Sequence, residues 1–199
     1  MAAGEERTRA GQAKRVLTWA FAIELIALAL TGLWLSRWYR PTAAQSWAEI
    51  YGGVARTTWS MRIRDLHRWV AYVTVFPTSI ALAALVIADV VERSARRGAR
   101  ALRIVGAIAV PLLTVAVALT GTLLPWDQLG LRAVTVGTDM SGYQPLFGDQ
   151  VRFVLVGGAE VATTTVRTAL IIHAAVLPLL LIAALAATAL LRTPSASTR

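Results

Sequence analysis

The chain has 199 residues, 56% of them hydrophobic, with 20 Lys and Arg against 11 Asp and Glu for a net charge of +9, two histidines and no cysteine. That length allows one domain, and the composition is not that of a soluble globule. The absent cysteine excludes disulfides, cysteine-ligated iron-sulfur clusters and thioether-attached haem, and leaves histidine as the main remaining ligand for a redox centre.

Residues 1–14 read as a polar tail. Four apolar runs then reach the about 20 residues that a membrane span needs: Val16 to Leu35, Trp69 to Val91, Ala101 to Leu124 and Leu170 to Leu191. They predict helices over 15–37, 63–92, 101–124 and 162–192. The expected fold is an all-α membrane protein, a four-helix transmembrane bundle over 15–192 with a second tail at 193–199. The first run is too long for a signal-peptide core, and Ser36-Arg37-Trp38-Tyr39-Arg40 offers no small-residue cleavage pattern, so it is read as a retained span. It carries Glu24 near its middle; a carboxyl there serves as a proton relay, pairs with a cation, or faces a polar neighbour in another subunit.

Between the first two spans, a short surface helix is expected from Thr42 to Ala55, and Trp38, Tyr39, Trp47 and Tyr51 suit the aromatic belt of a membrane interface. Pro77 predicts a kink in the second span. The third span has its own Pro111 and ends at Thr120-Gly121. The semi-polar stretch that follows, with Gly130, Gly137, Gly142, Pro145 and Gly148, is too long for a turn and too polar to span. It is read as one or two short surface helices. The fourth span starts near Ala162 and carries His173 and Pro178.

Basic charge in such a chain reports orientation rather than nucleic-acid binding. Arg7, Arg9, Lys14 and Arg15 fall on the same side as Arg93, Arg96, Arg97, Arg100 and Arg103, which makes that side, and both termini, cytoplasmic in a bacterial inner membrane. The other face carries Arg37, Arg40, Arg56, Arg62, Arg64 and Arg68, so it has cations for anions to meet.

His67 lies at the head of the second span and His173 near the head of the fourth. A histidine within an apolar helix is costly to desolvate unless its ring nitrogens are satisfied. Each is either an ordinary helix histidine capped by water or a carbonyl, or the pair closes on one haem iron from opposite faces.

The motifs Trp38-Tyr39-Arg40-Pro41-Thr42, Arg64 with His67-Arg68-Trp69, Thr120-Gly121 with Leu124-Pro125-Trp126-Asp127-Gln128, and His173 with Leu177-Pro178 resemble, in order and spacing, the N-terminal domain of cytochrome b, above all cytochrome b6. The resemblance implies a haem-binding helix bundle with two histidine pairs, one haem near the outer, positive side and one near the inner side. It implies glycines that give each porphyrin room, here Gly32 and Gly121, and an arginine at Arg64, with Arg68 beside it, for the propionates. It also implies an outer quinol pocket with one wall near Asp127, Asp139, Tyr143 and Pro145.

The missing histidines and glycines of the family pattern fall at one depth, on the inner half of the helices. Fourteen positions after His67 stands Ala81, and after His173 stands Ala187, followed by Thr188. Fourteen before Gly32 stands Thr18, and before Gly121 Ala107. The family's Thr-Arg before the fourth-span histidine reads Arg167-Thr168 here, and its Pro-Glu-Trp-Tyr signature is missing. The resemblance therefore implies one haem b with bis-histidine ligation by His67 and His173, and a quinone held at a shared site. It implies a hetero-oligomer with a separate cytochrome b C-terminal or subunit IV-like chain and an iron-sulfur or cytochrome partner on the outer side. Any oxidoreductase activity would be quinol-linked, respiratory or photosynthetic, and shared with those partners. The alternative is a haem-free relative that packs such a complex together.

Overall fold

The computed structural model describes residues 2–51, 58–92, 97–139, 156–158 and 161–190. Helix α1 runs Ala2–Ser36, α2 Gln45–Tyr51 and α3 Thr58–Trp69; a π-helical turn Val70–Val75 leads into α4, Phe76–Glu92. Next come α5 (Arg97–Leu123), α6 (Gln128–Asp139) and α7 (Thr163–Ile171), and a second π-helical turn, Ile172–Val176, leads into α8 (Leu177–Leu190). No strand occurs among the described residues. Four helical stretches are long and apolar enough to cross a membrane: Gly11–Ser36, Trp59–Val91, Gly98–Leu123 and Thr163–Thr188. The chain is an all-α, multi-pass membrane protein.

Some boundaries differ from the sequence reading. Helix α1 begins at Ala2, so helical backbone continues through the stretch read as a tail, where Ala, Glu, Arg and Lys are good helix formers. The second span gains a polar first turn from Thr58, hidden from hydropathy by Arg62, Arg64 and Asp65. The kink expected at Pro77 takes the form of a π-helical turn, and a second such turn precedes Pro178. Proline offers no N–H to the carbonyl four residues earlier, and those carbonyls, on Val73 and Ala174, both lie inside the widened turns.

The chain forms two compact units. The first draws on residues up to Leu28, then Trp69–Val115 and residues from Leu179 on. Its core joins Phe21, Val75, Leu82, Ala83, Val86, Val90, Ala107, Val110 and Leu181. Here α5 and α8 touch almost backbone to backbone: a β-carbon on Gly106 would lie 2.9 Å from Thr188 Cγ2 and 3.1 Å from the Ala184 carbonyl oxygen. Arg103, assigned above to a cytoplasmic cluster, is buried and contacts Asp89 at 3.2 Å, while Lys14 reaches the same carboxylate at 3.0 Å. Glu24 accepts a 3.2 Å hydrogen bond from the Thr78 hydroxyl.

The second unit draws on Ala29–Arg68 and Ala116–Pro178. Its connections interlock through polar contacts. The Tyr39 hydroxyl donates to the Leu124 carbonyl at 2.5 Å, the Arg40 N–H to Glu49 at 2.8 Å, and the Ala43 N–H to Thr163 Oγ1 at 3.2 Å. Within the helix expected over Thr42 to Ala55 lies α2, and α6 is one of the one or two short helices expected after the third span; residues 52–57 and 140–155 lie outside the described residues.

Candidate functional site

The dipeptide Thr-Gly occurs near the end of α1, as Thr31-Gly32, and again near the end of α5, as Thr120-Gly121. Each copy meets one histidine. A β-carbon on Gly32 would lie 3.3 Å from His67 Cε1, and one on Gly121 only 2.8 Å from His173 Cε1. Glycine inside a helix costs about 1 kcal/mol relative to alanine, and here its missing side chain is what lets an imidazole lie against the facing helix. The two rings, from α3 and the second π-helical turn, have centroids 6.3 Å apart and planes at 66°.

Their Nδ1 atoms are held by the threonines. Thr31 Oγ1 lies 2.8 Å from His67 Nδ1, and Thr120 Oγ1 3.3 Å from His173 Nδ1, which also faces the Val117 carbonyl at 2.9 Å. A carbonyl only accepts, and the single hydroxyl hydrogen of Thr120 is directed at the Ala116 and Val117 carbonyls, each 2.9 Å away. The proton of neutral His173 therefore sits on Nδ1, and Nε2 carries the lone pair a metal takes. Two imidazoles on opposite sides of one metal atom, with bonds of about 2.0 Å and ring centres about 1.1 Å beyond, have centroids about 6.2 Å apart. The observed spacing fits. No group of three His, Asp or Glu side chains gathers among the described residues. The pair thus suits a metal that brings its own equatorial ligands, as haem iron does.

Around the rings, Arg64 shares the His67 face of α3 at i,i+3 spacing. Its guanidinium lies over the Tyr51 ring at 5.4 Å, donates to the Ile50 carbonyl at 3.3 Å and reaches Asp65 at 3.7 Å. Its buried Nε has no partner among the described residues, a donor placed for an anionic oxygen. Arg68 is exposed. Asp127, expected in a quinone wall, caps α6: Oδ1 accepts from the Gly130 N–H at 2.9 Å, and Oδ2 accepts from the Tyr51 hydroxyl at 3.2 Å. The preceding Trp126 has φ 51°, the left-handed step that turns the chain from Pro125 into the cap. Asp139 ends α6. Tyr143 and Pro145 lie outside the described residues.

The two interfacial tyrosines are both held protonated. Burial pushes Tyr39 up to about 12. Tyr51 is raised by burial and then by the Asp127 carboxylate, with Arg64 and Arg68 opposing. Sequence reasoning missed Thr31, Thr120 and the capping role of Asp127. The signal for the first two was present in the repeated Thr-Gly pair.

Fold and site together define an all-α, multi-pass membrane protein that sets two imidazoles beside one another near one end of its spans. Residues 15–193 match the family model described as cytochrome b/b6/petB, so the chain belongs to the cytochrome b/b6 family and is a membrane electron-transfer cytochrome b subunit. It is 29% identical over 160 residues to the cytochrome b6 of Tupiella akineta, which covers 80% of this chain and 72% of that one. With the cytochrome b6 of Porphyra purpurea it shares 31% identity over 150 residues, 75% of this chain and 67% of the relative. In fold it is similar to a chain of a hyperthermophilic respiratory complex III, with a TM-score of 0.67 at 20% identity over 89% of this chain. It spans 47% of the length of that chain.

Proposed function

We propose that this subunit holds one b-type haem between His67 and His173, near the outer side of the membrane, and passes electrons within a larger quinol-linked complex. The observation that carries the reading is the ring pair, 6.3 Å between centroids with both Nδ1 atoms held on oxygen. When bound, the haem iron supplies one-electron oxidation and reduction. His67 and His173 would both hold the iron, and two histidine ligands suit electron transfer rather than oxygen chemistry. Gly32 and Gly121 admit the imidazoles, and the unpartnered Arg64 Nε suits a propionate oxygen.

A single haem is supported by the first unit, where Gly106 sits directly on Ala184 and Thr188 and the core holds Leu82 and Ala107. Those residues offer no ligand, and at Gly106 the two helices are in close contact. The depth of the site follows from the spans. His67 is eight residues from Trp59 but 24 from Val91, and His173 is ten from Thr163 but 15 from Thr188. At about 1.5 Å per residue, both ligands lie nearer one end. A C-terminal cytochrome b portion completing a quinone site and an iron-sulfur or cytochrome partner outside would work with it.

The test is a reduced-minus-oxidised spectrum and a pyridine haemochrome assay on the purified full-length chain. One protohaem per chain is expected, lost in His67→Ala and in His173→Ala. Two haems per chain, or none, would overturn the proposal, and none would favour the haem-free packing subunit.

A further inference from the structure

We propose that Thr31 and Thr120 are positioning residues for the two imidazoles, and that Thr31, through its hydroxyl oxygen on His67 Nδ1, lowers the reduction potential of the centre that His67 holds. The inference rests on the haem reading above. It starts from the repeated Thr-Gly pair: in both copies the glycine admits the ring and the threonine one residue earlier meets its Nδ1. Once Nε2 is a metal ligand, the proton of a neutral imidazole lies on Nδ1, so each threonine oxygen acts as the acceptor. An acceptor on Nδ1–H makes the imidazole more basic, and a more basic ligand favours the oxidised, more positive iron.

The two threonines differ in weight. Thr31 Oγ1 is 2.8 Å from His67 Nδ1, a short hydrogen bond. Thr120 Oγ1 is 3.3 Å from His173 Nδ1, whose nearer acceptor is the Val117 carbonyl at 2.9 Å, which no side-chain change removes. Of the two threonine contacts, the one on His67 is therefore the stronger.

The test is a redox titration of the haem-loaded full-length chain, with haem content measured in parallel, for wild type, Thr31→Val, Thr31→Ser and Thr120→Val. Valine keeps the volume of threonine and deletes the acceptor. In Thr31→Val the reduced-to-oxidised ratio at fixed potential should rise about tenfold, equal to about 59 mV upward for one electron. Thr31→Ser should return it toward wild type, and Thr120→Val should move it by a much smaller factor. Loss of haem from Thr31→Val but not from Thr31→Ser would also support the role, since only the hydroxyl separates the outcomes. The proposal fails if loaded Thr31→Val titrates like wild type, if Thr120→Val moves the ratio as far, or if valine and serine both empty the site. A wild-type chain that takes up no haem overturns the haem reading and this proposal together, whereas a loaded wild type with an unmoved Thr31→Val overturns this proposal alone.

Discussion

Replacing Gly121 with alanine puts a methyl group 2.8 Å from His173 Cε1, 3.3 Å from Nδ1 and 3.5 Å from Nε2. Carbon contacts settle at about 3.5 Å or more, so the ring has to retreat by about 0.7 Å. In the haem-free chain it can do so by turning about its own side-chain bonds. With Nε2 bound to iron and Nδ1 on the Val117 carbonyl, it cannot move without lengthening one of them. Overpacking of this kind costs about 1–3 kcal/mol, which weakens haem binding about 5- to 150-fold. Alanine meanwhile stabilises the haem-free helix by up to about 1 kcal/mol relative to glycine. At Gly32 the corresponding distance is 3.3 Å, so Gly32→Ala asks for a shift of only a few tenths of an ångström and should weaken binding about threefold at most. The assay is a haem titration of the detergent-solubilised apoprotein, beside a thermal melt of the same samples. Equal haem affinity in Gly121→Ala and wild type, or a larger loss in Gly32→Ala than in Gly121→Ala, would refute the argument.

Gly106→Leu drives a side chain into the Ala184 carbonyl and the Thr188 methyl; the chain should lose thermal stability by an overpacking cost of about 1–3 kcal/mol while the fraction that remains folded keeps its haem-to-protein ratio, read from size-exclusion peaks at two wavelengths. Tyr39, raised from 10.0 to about 12, contributes stability that is fully present below pH 10 and lost as pH rises through about 12, so alkaline melts of wild type should fall across that window and those of Tyr39→Phe should fall less. Reconstituted alone in vesicles, the haem-loaded chain should accept electrons from an impermeant outside reductant without rapidly reducing an acceptor sealed within, because the insulating layer is about 30 Å thick and both ligands lie toward one end of their spans.

Much of the fold was legible because membrane spans advertise themselves by length and apolarity, and four such runs emerged as four helical stretches within a few residues of the expected limits. The errors have a common origin. Hydropathy sees the lipid-facing part of a helix and not its polar ends, so the turn from Thr58 and the helical residues after Ala2 fell outside the predicted spans. Proline at 77 and 178 announces a break in the hydrogen-bond ladder without saying how it is relieved, and the relief is a π-helical turn in both cases. At the site, His67 and His173 stood out because they are the chain's entire histidine content. Threonine is harder to read. Within a helix it commonly bonds back to a carbonyl of the preceding turn, as Thr120 does, and nothing in its neighbours reveals that it also faces a ring on another helix. Asp127 was legible as a motif residue, and its capping of the helix behind it is a further physical reason for aspartate before an amphipathic run. Gly106 was passed over for Ala107 because register was counted by family spacing rather than by contact.

Because Gly106 brings α5 directly onto α8, the first unit reaches its packed state with nothing but polypeptide. The second unit holds the two imidazoles, and under the haem proposal its packing would be completed only when the cofactor binds. Biogenesis would then be divided in time: the chain could insert and consolidate one unit while haem is scarce, then wait. In a starved cell the stock of this subunit would be an anchored, half-finished intermediate rather than an unfolded one, and its survival would depend on how fast proteases find the unfinished half compared with how fast haem does.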